Sequence, residues 1–582
     1  MARIAPPMIA EVASLPRNDE LAEQFDLLAD LMELSNADSF RVGAYRKAAA
    51  RIRETSTSVA QLALEGKATK LQGIGKTIEG KIVEAVNDGE VHALTKKKAE
   101  IPSEVAVFMR LPGLGPKTAR RIWQELGITT VDALRSAVES GQLRGHAGVG
   151  PGTETKIAAA LAQGPKATPE RGRGLLGTAL PRLVAAVEEL RAHPASVEVS
   201  LAGSARRMRE TVRDLDIIAT ATDAAALVAH FCQLPWVVEV AAKGTTKATV
   251  VSHDGLRFDL RVVPPESYGN LLQHFTGSKN HNVALREDAV RRGLSVSEYA
   301  ITEVEGGAEH HFATEEEVYR FLGYEWIPPE LREDGGELKA ARAGELPDLV
   351  ELRDLRGDLH THTTWSDGTD TLETMVAAAR ARGYSYYAVC DHSQRLRGDL
   401  LHLQSVEIDA INQQVAPLRI LKGIEVNIRP DGSLDVPDEE LATREWVVAS
   451  VHSRFDHDPT GRVLAAMDHP YVDCIGHPTN RKIGKRAPAP VDVERIIEKA
   501  LDTGTFLEIN SQPDRLDLTD VHARAAREAG LKLVIDSDGH QVAALDYVTL
   551  GVGQARRAWL RSVDVLNTRT WKQIERLRKR RA

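Results

Sequence analysis

The 582 residues, 42% hydrophobic and 27% charged, suit a globular protein of roughly three to four domains and exclude a fibrous or disordered chain. Three widely spaced cysteines, Cys232, Cys390 and Cys474, exclude a disulfide framework and a cysteine zinc site, and no apolar run approaches a membrane span. The net charge of −9 is uneven: residues 1–175 hold 24 Lys and Arg against 21 Asp and Glu, and the remainder holds 50 against 62. A mildly basic front and an acidic, metal-rich back would give this split. The opening Met-Ala-Arg-Ile-Ala-Pro-Pro lacks the charged-then-apolar order of a secretion signal, so a cytoplasmic protein is expected.

Residues 18–66 read as helices. Leu27, Leu28, Leu31 and Leu34 recur at helical spacing, and Asn18 offers a cap. Two segments then repeat about 40 residues apart: Gly73-Ile-Gly75-Lys76-Thr and Gly113-Leu-Gly115-Pro-Lys117-Thr, each followed by a helical stretch. The glycines permit a tight turn and close backbone approach, and the next helix points free N–H groups at a phosphate. Such hairpins bind a nucleic-acid backbone without reading its bases. A third, weaker copy is Ala147-Gly-Val-Gly-Pro-Gly-Thr, and residues 164–174 read as a hinge.

From 175 to about 265 the texture is α/β, with strands expected at 197–201, 215–219, 248–252 and 258–263. Gly203-Ser204-Ala-Arg-Arg207 ends the first strand, and Asp214-Leu-Asp216 opens the second. Acids at i and i+2 on a strand share a face, and Asp259 on a later strand can complete a carboxylate site for Mg²⁺ and substrate phosphates. The Gly-Ser turn with Arg207 can cradle a triphosphate. Residues 266–327 read as helical at first and then mixed, and a polar, Gly-rich stretch at 332–348 reads as the clearest boundary in the chain.

Beyond about 353, strands expected at 386–390, 420–426, 446–451, 472–475, 505–509 and 532–535 alternate with helices, the pattern of a parallel sheet or α/β barrel. Nine metal-type side chains fall at or just after strand ends: His360, His362, Asp367, His392, Glu425, His452, His477, Asp538 and His540. One histidine in such a place is usually packed or on the surface. Six, interleaved with three acids at the reactive ends of strands, are hard to read as core. Imidazole with carboxylate suits Zn²⁺, Mn²⁺ or Fe and not Ca²⁺. Nine ligands fit two or three ions, and such a site clamps both oxygens of a phosphoester under attack. Asp358 and Asp391 are expected to orient ligand histidines, and Arg395, Arg454 and Arg481 to hold a phosphate.

The run from Gly203-Ser204 through Asp214-Leu-Asp216, Asp259-Leu-Arg-Val-Val-Pro-Pro-Glu-Ser and His274-Phe275-Thr-Gly277-Ser resembles the nucleotidyltransferase core of family X DNA polymerases. The last third resembles a PHP (polymerase and histidinol phosphatase) domain. The pair, behind helix-hairpin-helix segments, is similar to a bacterial family X DNA polymerase with a PHP tail. The resemblance implies a multidomain α and α/β protein. It would comprise a lyase-like helical domain (1–100), a fingers-like helical domain (101–174), a palm (175–265), a thumb (266–331), a linker (332–352) and a distorted (β/α) barrel (353–582).

It also implies roles. Asp214, Asp216 and Asp259 would hold two Mg²⁺ or Mn²⁺ ions. Gly203, Ser204 and Arg207 would meet the nucleotide phosphates. His274, Phe275 and Gly277 would lie at the sugar, and Asn282 and Arg286 would face the base pair. Arg257 would face the primer end, and Gly73, Gly75, Lys76, Gly113, Gly115 and Lys117 the DNA backbone. Lys81 matches the lysine that forms a Schiff base in the family's lyase domain, although a phosphate-binding or solvated lysine is the preferred reading. Two departures stand out: Arg213 where many members have Gly, and His274 where relatives often have Tyr. The implied substrates are gapped or nicked duplex DNA and deoxynucleoside triphosphates, taken by a monomer. The back site would hold two to three Mn²⁺, Zn²⁺ or Fe ions and act as a 3′–5′ exonuclease or abasic-site endonuclease. A small-molecule phosphoesterase with the front half as a DNA platform is the alternative, and a template-independent nucleotidyltransferase a third. The intact aspartate triad argues against the first alternative, and the paired hairpins and the Phe275-Thr-Gly-Ser segment imply a duplex substrate with a templating base.

Overall fold

The computed structural model describes residues 15–16, 18–53, 55, 58–71, 73–109, 114–143, 157–158, 161 and 173–579. The third Gly-rich copy, Gly113 and nearly all of the 164–174 hinge lie outside them. The chain forms two compact units, 1–168 and 169–582.

The first unit is helical. Asn18–Leu34 and Ser39–Arg53 pack together, and Leu21, Phe25, Leu28 and Leu31 are fully buried in its core. Asn18 begins the first helix. Its amide donates to the Thr55 carbonyl and its carbonyl accepts from Val59 N–H, tying the chain beyond the second helix back to the first. Gly75 and Gly115 each sit immediately before a helix, Lys76–Asp88 and Pro116–Leu126. Ile74 and Leu114 between the glycines are buried, so each hairpin hangs on an apolar peg while Lys76 and Lys117 stay exposed. Arg120 on the second hairpin helix donates to the carbonyls of Glu33 and Leu34, closing the end of the first helix.

The second unit opens with a five-stranded mixed sheet in the order Ser196–Leu201, Asp214–Ala221, Arg257–Val262, Lys247–Ser252, Val237–Lys243. The edge strand Val237–Lys243 was not among the expected strands, because it is exposed almost throughout and buries no apolar face. Helices Leu176–Arg191 and Ala224–Phe231 pack on the sheet. Tyr268–Thr276, Lys279–Arg291, a three-stranded antiparallel sheet and Glu315–Phe321 follow.

The 332–348 stretch was expected as a linker, but it lies inside this unit and is no free tether. It carries the helix Glu337–Ala343, and Arg332 and Glu337 are fully buried. Arg332 grips Glu315 at 2.6 Å, and Glu337 meets Nδ1 of His281 at 2.7 Å. Sequence polarity misleads here because these charges are paired in pairs far apart in the chain.

Seven parallel strands then run in sequential order: Gly357–Thr361, Tyr386–Val389, Arg419–Asn427, Trp446–Ser450, Cys474–Ile475, Phe506–Asn510 and Leu533–Asp536. A bridge from Thr361 to Gly539 brings the last strand's end back to the first, so the barrel nearly closes. All residues of these strands except Arg419, Lys422 and Asn427 are buried, which explains their continuous apolar runs. Among the described residues no helix is long and apolar enough to cross a membrane.

Candidate active sites

The palm site grows from two parallel strands in register. Asp214 pairs with Arg257 and Asp216 with Asp259, so the three carboxylates share one face, as the i, i+2 spacing predicts. Gly203 is needed beside them: at φ +64° it lies so close to Asp216 that a Cβ there would strike the carboxylate. Burial, with Asp259 and then Asp214 nearby, pushes the Asp216 carboxyl up to about 7, while the Arg261 and Arg207 charges pull against this. Asp259 accepts from the Thr249 hydroxyl. Arg257 Nε stands 3.6 Å from Asp214 and 3.5 Å from Asp259, and Arg213 Nε bonds Asp214 at 3.0 Å. Three crowded carboxylates, one of them held partly protonated, form a donor set that fits Mg²⁺ or Mn²⁺.

Around this triad, Ser204 lies in the short helix Gly203–Arg206. Arg207 donates from Nε to Glu333 at 3.0 Å and from Nη1 to the Thr276 carbonyl. Thr276 leads into Gly277, which adopts φ +66°. Arg261 stacks 4.4 Å over the Phe275 ring. Arg286 donates to His274 Nδ1 at 3.1 Å, and burial, followed by this cation, lowers the imidazole's pKa. The Asn282 amide donates to the His274 carbonyl and its oxygen accepts from Gln273. The whole set 274–286 is therefore one bonded patch beside Arg207.

In the barrel all nine expected ligands converge. Glu425 is the hub. His392 Nδ1 lies 2.8 Å from it, His452 and His477 Nε2 at 3.2 and 3.3 Å, His360 at 3.5 Å and His362 at 3.7 Å. His362 Nε2 is 3.2 Å from Asp538, and His540 and His392 are 3.4 and 3.6 Å from Asp367. Three groupings can each hold an ion: His362 with Asp367, His392 and His540; His360 with His362 and Asp538; and His392 with Glu425 and His452. Among the described residues, buried His360 Nε2, both nitrogens of His362, His477 Nδ1 and Glu425 Oε1 have no hydrogen-bond partner. Groups like these stay in a core only when something bonds them, and ions in the three groupings would bond His360, His362 and Glu425; His477 lies in none of the three.

The electrostatics agree. Burial opposes charge on His360, yet Glu508, Glu425 and Asp538 hold its pKa well above the ordinary value. Burial, with His540 and His392 alongside, drives His362 down to about 3. Glu425 stays far below the usual carboxylate range against its burial, because His452, His392 and His360 surround it.

Other expectations are corrected. Asp358 takes backbone N–H groups of His360 and Ser537, and Asp391 takes Thr363, Ser366 and Gln404; among the described residues neither holds an imidazole. The orienting groups are Glu508, on His360 Nδ1 at 2.7 Å, and Asn427, on His452 Nδ1 at 2.5 Å. The cavity over the site, about 470 Å³, is lined by Arg515, Lys482 and Gln512 besides the ligands. Arg395, Arg454 and Arg481 are not in its wall. Arg395 bonds the Ser366 carbonyl, and Arg481 turns to Glu210 at 2.7 Å. Among the described residues, Arg515 Nε and Nη1 are buried without a bonded partner, and Nε stands 4.0 Å from Asp538. No local motif marks Arg515; only its place three residues past Gln512, on the loop after the strand that carries Glu508, sets it apart.

Comparison with known proteins decides the family. The chain is 38% identical over 577 residues, 96% of its length and 99% of the relative's, to "DNA polymerase/3′-5′ exonuclease PolX" of Bacillus subtilis. The chain belongs to this family X, PHP-bearing group. Models of the DNA polymerase beta thumb (271–333), a helix-hairpin-helix domain (16–91), a SAM-like helix-hairpin-helix tandem (106–163) and the PHP domain (358–512) match along it. A stretch of the chain is also 31% identical over 197 residues, 31% of this chain and 78% of the relative, to a "Probable phosphatase" of Acetivibrio thermocellus.

Proposed function

We propose that this PolX-family chain extends a 3′ end across short gaps in duplex DNA at the palm and removes nucleotides from 3′ ends in the barrel. The register pairing of Asp216 with Asp259, in a chain alike to PolX over its whole length, carries the reading. Two Mg²⁺ or Mn²⁺ ions between the three aspartates would supply the charge that readies the 3′-hydroxyl and steadies the departing pyrophosphate. Asp214, Asp216 and Asp259 hold that charge in place, and Ser204 and Arg207 bind the triphosphate. Phe275 and Gly277 set the sugar, with His274 where it discriminates ribose. Asn282 and Arg286 exchange their present bonds to His274 for the minor groove of the new pair. Arg257 turns from Asp214 toward the primer, and the hairpin residues Gly73, Gly75, Lys76, Gly113, Gly115 and Lys117 hold the DNA backbone.

In the barrel, two to three Mn²⁺, Zn²⁺ or Fe ions would supply a nucleophile and a clamp for a phosphodiester. Arg515 and Lys482 bind the phosphate, while Glu508 and Asn427 keep His360 and His452 in their ligating tautomers. The chain acts as a cytoplasmic monomer. Lys81, half-buried on Lys76–Asp88, serves the DNA backbone and not Schiff-base chemistry.

The test is a duplex with a short gap and a labelled primer, with Mn²⁺ and four nucleotides, comparing wild type, Asp259→Ala and His360→Ala. Extension lost only in the first and shortening lost only in the second support two sites. Shortening without extension in the wild type would leave a nuclease on a DNA-binding platform.

A further inference from the structure

The palm loop that carries Arg207 is held by the barrel domain, not by the palm alone. Arg557, at the end of the helix Val548–Arg557, is buried. Its Nη1 donates to the Arg207 carbonyl at 2.9 Å and to Glu333 Oε1 at 2.9 Å. That same Glu333 oxygen accepts Arg207 Nε at 3.0 Å. On its far side Arg557 is fixed to Asp520 by Nε at 2.9 Å and Nη2 at 2.6 Å. One barrel arginine thus grips both the backbone of Arg207 and the carboxylate that aims its guanidinium. Burial alone would push Glu333 up, but Arg557, then Arg207 and Arg209, hold it at about 2, so the bridge stays ionised across the working pH range. The neighbouring contacts are close: a Cβ on Gly553 of the same helix would strike Met208, the residue after Arg207. Arg481 holds Glu210 two residues further on.

We propose that Arg557 is a positioning residue of the polymerase site, which fixes Arg207 through its carbonyl and through Glu333 so that the guanidinium meets the nucleotide's triphosphate. The barrel domain is then a structural part of the nucleotide pocket. This rests on the reading of Arg207 as a triphosphate ligand. Arg207 is already near the reacting centre, since it ends the short helix Gly203–Arg206 whose first residue abuts the Asp216 carboxylate. Freed of Arg557, Glu333 would keep one partner of two and the 207–210 loop would lose its buried anchor. The loss would fall on nucleotide binding and leave the aspartate chemistry alone. By linkage, bound nucleotide must in turn tighten the contact of the 548–557 helix with the palm.

The experiment measures single-nucleotide filling of a one-nucleotide gap for Arg207→Ala, Arg557→Ala, Arg557→Lys and Glu333→Gln, with nuclease activity on single-stranded DNA as the control for folding. Arg557→Ala should raise the nucleotide KM by about fivefold to tenfold with kcat within about twofold and nuclease unchanged, the scale of ordinary coupling between sites. Lysine should restore part of the loss. Amide exchange in 548–557 of the wild type should slow when nucleotide and gapped DNA are added. If Arg207→Ala raises KM and Arg557→Ala does not, Arg557 only joins two domains and the proposal fails. If Arg207→Ala itself leaves KM unchanged, the triphosphate reading falls and takes the proposal with it. Should Arg557→Ala lose nuclease as well, Glu333→Gln must show the KM rise alone; a normal KM there overturns the proposal.

Discussion

The Cα of Gly203 and the carboxylate of Asp216 approach so closely that no other residue fits at 203. Any Cβ would push this carboxylate oxygen, a proposed metal ligand, aside, and a displacement of about 1 Å at a reacting centre costs roughly 10²-fold in rate. Gly203→Ala should therefore lower gap filling by about 10²-fold or more while exonuclease activity stays at the wild-type level. Equal loss in both assays would point to misfolding, and no loss would remove the requirement.

Asp216 gives the metal-free protein a pH signature. Its carboxyl is raised to about 7, chiefly by burial and then by Asp259 and Asp214. An acid whose pKa rises on folding binds its proton more tightly in the folded chain. Between its unfolded pKa and about 7 its contribution to stability therefore falls as pH rises, by at most about 1.4 kcal/mol per unit. Asp216→Asn abolishes that slope. The difference in Tm between the metal-free variant and wild type should favour the variant more at about pH 8 than at about pH 5.5. A difference that does not change with pH counts against the raised value, and added Mg²⁺ should narrow it.

Glu508 holds Nδ1 of His360 with one oxygen and the His477 N–H at 2.5 Å with the other. Glu508→Gln keeps the shape and loses the charge. Partners of this kind are worth about 10- to 100-fold in metal affinity or activity. Titrating exonuclease activity with Mn²⁺ should show the midpoint shifted upward by that factor, with polymerase activity untouched. An unmoved midpoint would make Glu508 a mere packing carboxylate.

Arg515 and Arg395 offer a contrast. Arg515 faces the cavity with unpartnered N–H groups, whereas Arg395 is spent on a backbone carbonyl. A charge-assisted bond to a phosphate is worth about 1.5–3 kcal/mol, so Arg515→Ala should cost the nuclease about 10- to 100-fold in kcat/KM. Arg395→Ala should act mainly on stability. Steady-state rates on a single-stranded oligonucleotide separate the two, and the reverse order would sink this assignment.

Lys81 can be judged by borohydride trapping on a duplex with an incised abasic site. We expect no covalent adduct. An adduct that disappears in Lys81→Ala would instead establish Schiff-base chemistry at that lysine.

Much was legible in the sequence because its determinants are local. Asp214 and Asp216 share a face through strand periodicity alone, and the nine barrel ligands follow from strand ends in a parallel barrel, where the C-terminal rim is the reactive one. The hairpin glycines announce their turns by composition. Local polarity also misled: 332–348 looks like a tether until Arg332 finds Glu315 and Glu337 finds His281.

What the tertiary structure alone decided is which charges meet. Glu508 reaches His360 across 148 residues, Arg207 reaches Glu333 across 126 and Arg557 reaches the Arg207 carbonyl across 350. Nothing in the spacing of these residues distinguishes them from surface charges. Burial makes the pairing of Glu508 with His360 obligatory, since an unpaired ion in the interior would cost several kcal/mol. Burial of a given side chain is a property of the packed domains and not of its neighbours in sequence. The amino-acid order thus determined the two sets of candidate metal ligands, and the packing of palm, thumb and barrel selected the charged groups that meet around them.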